Sequence, residues 1–191
     1  MSTAWLRTLA ADLDRGTGTA EPLAPYGFTQ GDELQGLLPL AADPLGVVTR
    51  AFLHEHARPM RWVVVAGFVE PGEGPATERT GGAFLAARAL LDEARRRRDR
   101  LLVTVGRASE DALLDGVAPV LADLLSDLTE RQRTLARLML IDGLRRSEVA
   151  DVLGVSRATV SVMAERARIR RIDGLSRVVR QLIEDGAGAD R

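Results

Sequence analysis

The sequence predicts an α+β fold for its N-terminal part and an all-helical fold for its C-terminal third. Three observations point that way. Short strand-like apolar runs occur at 26–29, 33–38, 60–69 and 101–105, with helical patterns between them. Beyond residue 127 every apolar pattern repeats with helical spacing. The 191 residues are 46% hydrophobic and 28% charged, enough apolar material to bury the core of one or two domains.

Taken in order, residues 3–13 make a short amphipathic helix with Trp5, Leu6, Leu9 and Leu13 near one face. The stretch 14–25 holds Gly16, Gly18, Pro22 and Pro25 and reads as loop. Residues 26–29 and 33–38 read as a hairpin turned at Gly31-Asp32. Asp43 before Pro44 is an N-cap followed by proline at the first helical position, opening a helix to about residue 57. Trp62, Val63, Val64, Val65, Ala66 and Phe68 form an almost unbroken apolar run, the pattern of a strand buried on both faces. After a Gly- and Pro-containing loop, 83–98 is a helix with Phe84, Ala87, Leu90, Leu91 and Ala94 on one stripe. Its end, Arg95 to Arg98, suits the negative pole of a helix dipole. Residues 101–105 are a further strand, and 109–125 a helix interrupted or re-entered at Pro119. The expected organisation is an α/β domain over 1–108, a connecting helix over 109–126 and a helical domain over 127–191.

Composition excludes several classes of function. The chain has no cysteine, so disulfides, thiolate catalysis and cysteine-ligated zinc are ruled out. No apolar window approaches the ~18 residues of a membrane span, and residues 1–11 lack the apolar core of a secretion signal. A cytoplasmic location is expected. His54 and His56 stand two apart near a helix end, a spacing that fits neither a zinc face nor a triad, and are expected to be exposed. The net charge is only -1, but residues 129–180 hold 12 arginines against 6 acids. A basic segment on an otherwise acidic body is the asymmetry of a chain of which one part meets a polyanion.

That basic segment carries the most demanding pattern in the chain. Residues 146–165 read R-S-E-V-A-D-V-L-G-V-S-R-A-T-V-S-V-M-A-E. Two short helices crossing at a steep angle need a tight turn, which Gly154 supplies because the left-handed conformation there penalises a Cβ. Ala150 is small where the helices meet; Val149, Leu153, Val155, Val160 and Met163 join them, and Ser147 and Ser156 are placed as N-caps. Upstream, Thr129 with Gln132 makes a capping box for a helix whose apolar stripe is Leu135, Leu138, Met139 and Ile141, stopped by Asp142-Gly143. The inward stripe Val160, Met163 and Ala167 leaves Ser156, Arg157, Ala158, Thr159, Ser161, Val162 and Glu165 facing outward, toward a major groove. Arg157 has the planar fork that bonds both guanine acceptors, and Ser156, Thr159, Arg145, Arg166 and Arg168 suit phosphates.

This run, 128–172, resembles region 4 of bacterial sigma factors and related regulators. The resemblance implies a DNA-binding helix-turn-helix domain; nothing like the promoter-melting regions precedes it, so a regulator rather than a sigma factor is expected. A second resemblance rests on Tyr26 to Gly36, on Arg61 to Phe68 and on Gly81 to Arg88. These fragments resemble the SatD family and, more distantly, the ferredoxin-like palm of class III nucleotidyl cyclases. The latter likeness implies a metal carboxylate at Asp32, and it requires a second carboxylate on an earlier strand. Only Asp12 and Asp14 are available there, on a helix and beside a loop. The expectation is therefore a degenerate palm without catalysis or cofactor, with Asp32 as a possible ligand residue; the alternative is an enzyme acting on nucleotides, tethered to DNA by the helical domain. The partners expected are double-stranded DNA, a second copy of the chain and, in an adaptor role, RNA polymerase, but no membrane. Two surfaces are expected for pairing: an open edge of the N-terminal sheet, and the terminal-helix stripe Leu175, Val178, Val179, Leu182 and Ile183. The alternative use of that stripe is to pack back on its own domain.

Overall fold

The computed structural model describes residues 4–14, 21–29, 33–55 and 57–188. They form α1 (Ala4–Asp14), β1 (Ala24–Phe28), β2 (Leu34–Leu37), α2 (Pro44–Phe52), β3 (Trp62–Val65), α3 (Gly82–Arg97), β4 (Leu101–Thr104), α4 (Ala108–Ser126), α5 (Glu130–Leu140), α6 (Arg146–Leu153), α7 (Arg157–Arg166) and α8 (Ile169–Gly188). The expected order, mixed and then all helical, is the order observed. Asp32, the Gly31-Asp32 turn and His56 lie outside the described residues.

The N-terminal part is held by partners distant in sequence. β1 and β2 pair antiparallel, with an irregularity between Ala24 and Gly27. The Tyr26 ring lies so close over Gly36 that a Cβ there would meet its Cε1 at 2.1 Å. Burial, and then the nearby Asp14 carboxylate, push the Tyr26 hydroxyl well above its ordinary pKa. α1 lays Leu9 and Leu13 against Val47 and Ala51 of α2. Asp43 caps α2 as expected, accepting from the Gly46 N–H at 2.9 Å, although the helix stops at Phe52 rather than near 57. His54, just beyond it, is buried and not exposed as the sequence led us to expect, with Nε2 2.9 Å from Asp12 Oδ2. The carboxylate that buries it comes from α1, 42 residues away.

β3 and β4 form a parallel pair, Trp62 opposite Leu101 through Val65 opposite Thr104, joined by α3. Trp62, Val64 and Ala66 pack on the main core together with Leu101, Val103 and Val105. The expected strand buried on both faces is a correction: only 62–65 pair, all four are half-buried, and Phe68 is 70% exposed. A parallel strand is buried when neighbours flank and cover it, and among the described residues β4 is its one strand partner. The same thin layer leaves α3 with Ala94 as its one fully buried residue, while Leu85 is 76% exposed. The arginines at the end of α3 are engaged by carboxylates: Arg95 with Glu33 and Asp92, Arg96 with Glu93, Arg97 with Asp99 and Asp115.

α4 runs through Pro119 without interruption, contrary to the expected break. Its buried face meets α8, and one continuous core joins α2, β4, α4 and the four helices that follow. The terminal stripe is thereby covered within the chain: Val179 and Ile183 are buried, Leu175 and Leu182 half-buried, and of the five only Val178 is exposed. It is not available as a pairing surface. At its far end α8 approaches the α/β part so closely that a Cβ on Gly186 would meet Val105 Cγ2 at 2.2 Å. Arg180 Nε donates to Asp43 Oδ2 at 2.7 Å, tying α8 to the cap of α2. Among the described residues no helix is long and apolar enough to cross a membrane.

Candidate nucleic-acid interface

The interface is assembled from caps that fix each helix end. The Thr129 hydroxyl accepts from the Gln132 N–H, and the Gln132 side chain accepts from the Thr129 N–H, closing the capping box that opens α5. α5 buries Leu135 and Ala136, and Gly143, at φ 68°, follows its end. α6 starts two residues earlier than expected. Arg145, not Ser147, is its N-cap residue, and the Glu148 carboxylate accepts from the Arg145 N–H at 2.6 Å. Glu148, three positions on, reaches back to the N–H of the cap residue, the reciprocal half of a capping box, and Ser147 lies inside the first turn.

Gly154 takes the left-handed conformation at φ 63°, ψ 36° that the turn requires. The Val155 N–H then bonds the Ala150 carbonyl at 3.0 Å. Ser156 caps α7, its hydroxyl accepting from the Thr159 N–H at 3.0 Å and lying 2.8 Å from the Thr159 hydroxyl. Val149 and Val160 are fully buried between the two helices, and Ala164 and Ala167 continue the inner face of α7, with Met163 half-buried. α7 is thus fixed on α5 and α6, and its azimuth is set by buried residues.

The opposite side of α7 presents Ser156, Arg157, Ala158, Thr159, Val162, Glu165 and Arg166 to solvent. Ser161 is half-buried; its hydroxyl donates to the Arg157 carbonyl and accepts from Arg146 Nη1 at 3.4 Å. That contact brings Arg146 onto the same face, a residue the sequence reading passed over in favour of Arg145. Arg145 and Arg168 are also exposed, Arg168 at a positive φ of 55° where α7 turns into α8. Arg170 and Arg171, exposed on the first turn of α8, extend the basic surface; the spacing R-I-R-R from 168 to 171 was the signal for them. Among the described residues Arg145, Arg146, Arg157, Arg166 and Arg168 have no carboxylate partner, unlike the arginines that end α3. Unpaired cations spread over α7 and the ends of its neighbours are suited to phosphates and base edges.

Asp32, the one ligand residue expected in the N-terminal part, lies outside the described residues. The two carboxylates that could stand with it are engaged in packing: Asp12 with His54, and Asp14 with the Tyr26 N–H at 2.9 Å.

No curated protein and no solved structure matches the chain. Residues 120–170, which hold the last part of α4 together with α5, α6 and α7, match the family described as Sigma-70, region 4.

Proposed function

We propose that this chain is a transcriptional regulator that binds double-stranded DNA, inserting the outer face of α7 into the major groove. The observation that carries the reading is the set of unpaired arginines around a capped helix-turn-helix. Arg157 reads a guanine, Val162 offers an apolar contact to a thymine methyl, and Arg145, Arg146, Arg166 and Arg168 hold phosphates. The N-terminal part is a degenerate palm of SatD type that senses or assembles. Its support as a non-catalytic unit is that Asp12 and Asp14 are committed to His54 and Tyr26; product formed from nucleoside triphosphates with Mg²⁺ or Mn²⁺ would reverse that assignment.

Selection from randomised duplexes tests the function. A preferred site is expected, with affinity falling steeply in salt. Arg157→Ala is expected to cost ~1–3 kcal/mol on that site and to relax one base position. Equal loss on preferred and random duplexes would reduce Arg157 to a phosphate contact, and no duplex binding at all would remove the reading. A second reading, association with RNA polymerase, is favoured by the Sigma-70 region 4 match itself. Its mark is retention of purified polymerase by a chain that selects no DNA.

A further inference from the structure

α4 is apolar on both sides. Leu114, Ala118, Leu121, Ala122 and Leu125 face the core. On its outer side Leu113 is 57% exposed and Val120 50%, with Gly116 exposed between them and Val117 and Leu124 half-buried beside them. These residues fall within about a third of the helix circumference at 3.6 residues per turn. An apolar stripe on the outer side of a helix that already buries its inner face is a candidate contact surface.

We propose that a second copy of this chain covers α4, in an antiparallel α4–α4 pair whose two-fold axis passes between Gly116 and Val117. About that point the stripe sets large against large at Leu113 and Val120 and large against small at Val117 and Gly116. A two-fold axis there sets Leu113 of each copy against Val120 of the other, and Val117 of each over Gly116 of the other. A Cβ on Gly116 meets nothing within 4 Å of its own chain, so the space is open to the other copy's side chain. Self-complementarity of this sort is what an isologous interface requires.

Charge selects the same arrangement. The helix and its C-cap carry Glu110, Asp111, Asp115, Asp123 and Asp127 and no basic residue, so a parallel pair would superpose every like charge, whereas the antiparallel register leaves only Glu110 level with Asp123 of the other copy. The antiparallel pair brings Arg107, at the start of each helix, to Asp123 and Asp127 near the end of the other. Arg107 is half-exposed and held within its own chain by a 3.5 Å contact to Glu110. Asp123 and Asp127 are exposed and have no ion-pair partner among the described residues. Antiparallel packing also sets the two helix dipoles head to tail. With one helix contributed per copy, the interface belongs at the lower end of the ~1,200–2,000 Å² of stable complexes, so association is concentration-dependent. α4 leads through Leu128 directly into α5, so the pair would fix two reading heads relative to one another; that consequence rests on the DNA-binding reading, whereas the pairing does not.

The full chain without DNA provides the test. Sedimentation equilibrium across the micromolar range is expected to show a monomer–dimer equilibrium. Leu113→Glu should weaken it roughly thirtyfold or more, as the loss of a central contact does. Arg107→Asp should weaken it, and adding Asp123→Arg should restore it. Because the chain has no cysteine, an introduced thiol reports on its own surroundings: Gly116→Cys should crosslink to itself under mild oxidation, and Val178→Cys, exposed on α8, should not. A monomer at every concentration overturns the proposal, as does a dimer that Leu113→Glu leaves intact and Gly116→Cys fails to lock. Failure to bind DNA leaves all these measurements unchanged and counts against the functional reading alone.

Discussion

Between residues 129 and 168 each helix end is closed by a residue a few positions away, whereas the N-terminal part is held by partners far along the chain. Gln132 answers Thr129, Glu148 answers Arg145, and Thr159 answers Ser156, each three residues apart. In the N-terminal part Asp12 meets His54 across 42 residues, and Trp62 pairs with Leu101. One region is closed by its own local sequence and holds its outer helix face in place. The other depends on contacts that exist only once the whole chain is folded, among them those with α8. The two regions should therefore respond differently to substitution, and the junction between them most strongly.

The largest effect is expected at that junction. Gly186→Ala drives a methyl into Val105, whose Cγ2 and Cβ would lie 2.2 and 2.7 Å from it. Alanine favours a helix over glycine by up to ~1 kcal/mol, but overpacking costs typically ~1–3 kcal/mol and occasionally more. Urea unfolding should show a net loss, and Val105→Ala in the same chain should recover part of it. A neutral Gly186→Ala would mean that α8 does not bind the two regions together.

Within the local region the sharpest position is Gly154. Its Cβ space is open, so Gly154→Val tests backbone strain alone, at ~1–2 kcal/mol for the left-handed conformation and more for a β-branched residue. Loss of DNA affinity together with a lower melting temperature is expected, and Gly154→Asn should be milder. Unchanged stability and affinity in the valine variant would remove the turn from the assignment.

The contrast also explains what the sequence could reveal. Gly154, Ser156 and the Thr129–Gln132 box were legible because each is a local backbone requirement met by a nearby side chain. Ser147 misled for the same reason: it is a good capping residue, but the helix opens two residues earlier, where Glu148 accepts from the Arg145 N–H. His54, Phe68 and the terminal stripe were not legible, since burial depends on what lies opposite. An apolar run such as 62–68 states how much surface is apolar and leaves open how many neighbours will cover it. In the interface, the outward residues of α7 followed from periodicity, while Arg146 emerged only through its contact with Ser161 on a different helix.

A smaller effect separates the two kinds of closure. Thr129→Ala removes the hydroxyl that caps α5 and should cost ~1 kcal/mol. Gln132 keeps its acceptor on the Thr129 N–H in the wild type, so Thr129→Ser should recover most of the loss. Hydrogen exchange should confine the change to the first turn of α5. A loss spread into α1 and α2 would show that the helical region is less self-contained than its caps imply.

The smallest effect is confined to high pH and to the N-terminal part. Tyr26 is the chain's one tyrosine, and burial first, then Asp14, raise its folded pKa. In the unfolded chain it ionises near the ordinary value of about 10. Below that pH both states keep the proton and stability is unaffected; above it the unfolded state has lost a proton that the folded state retains, so stability falls as pH rises. The ultraviolet signal of phenolate should therefore appear late and together with unfolding, and Tyr26→Phe should remove this part of the alkaline instability. Asp14→Asn, which deletes the second cause and leaves the first, should lower the ionisation pH only part of the way toward the ordinary value. A phenol that titrates near that value in the intact fold would show that the ring is not packed over Gly36 and that the hairpin is looser than its contacts indicate.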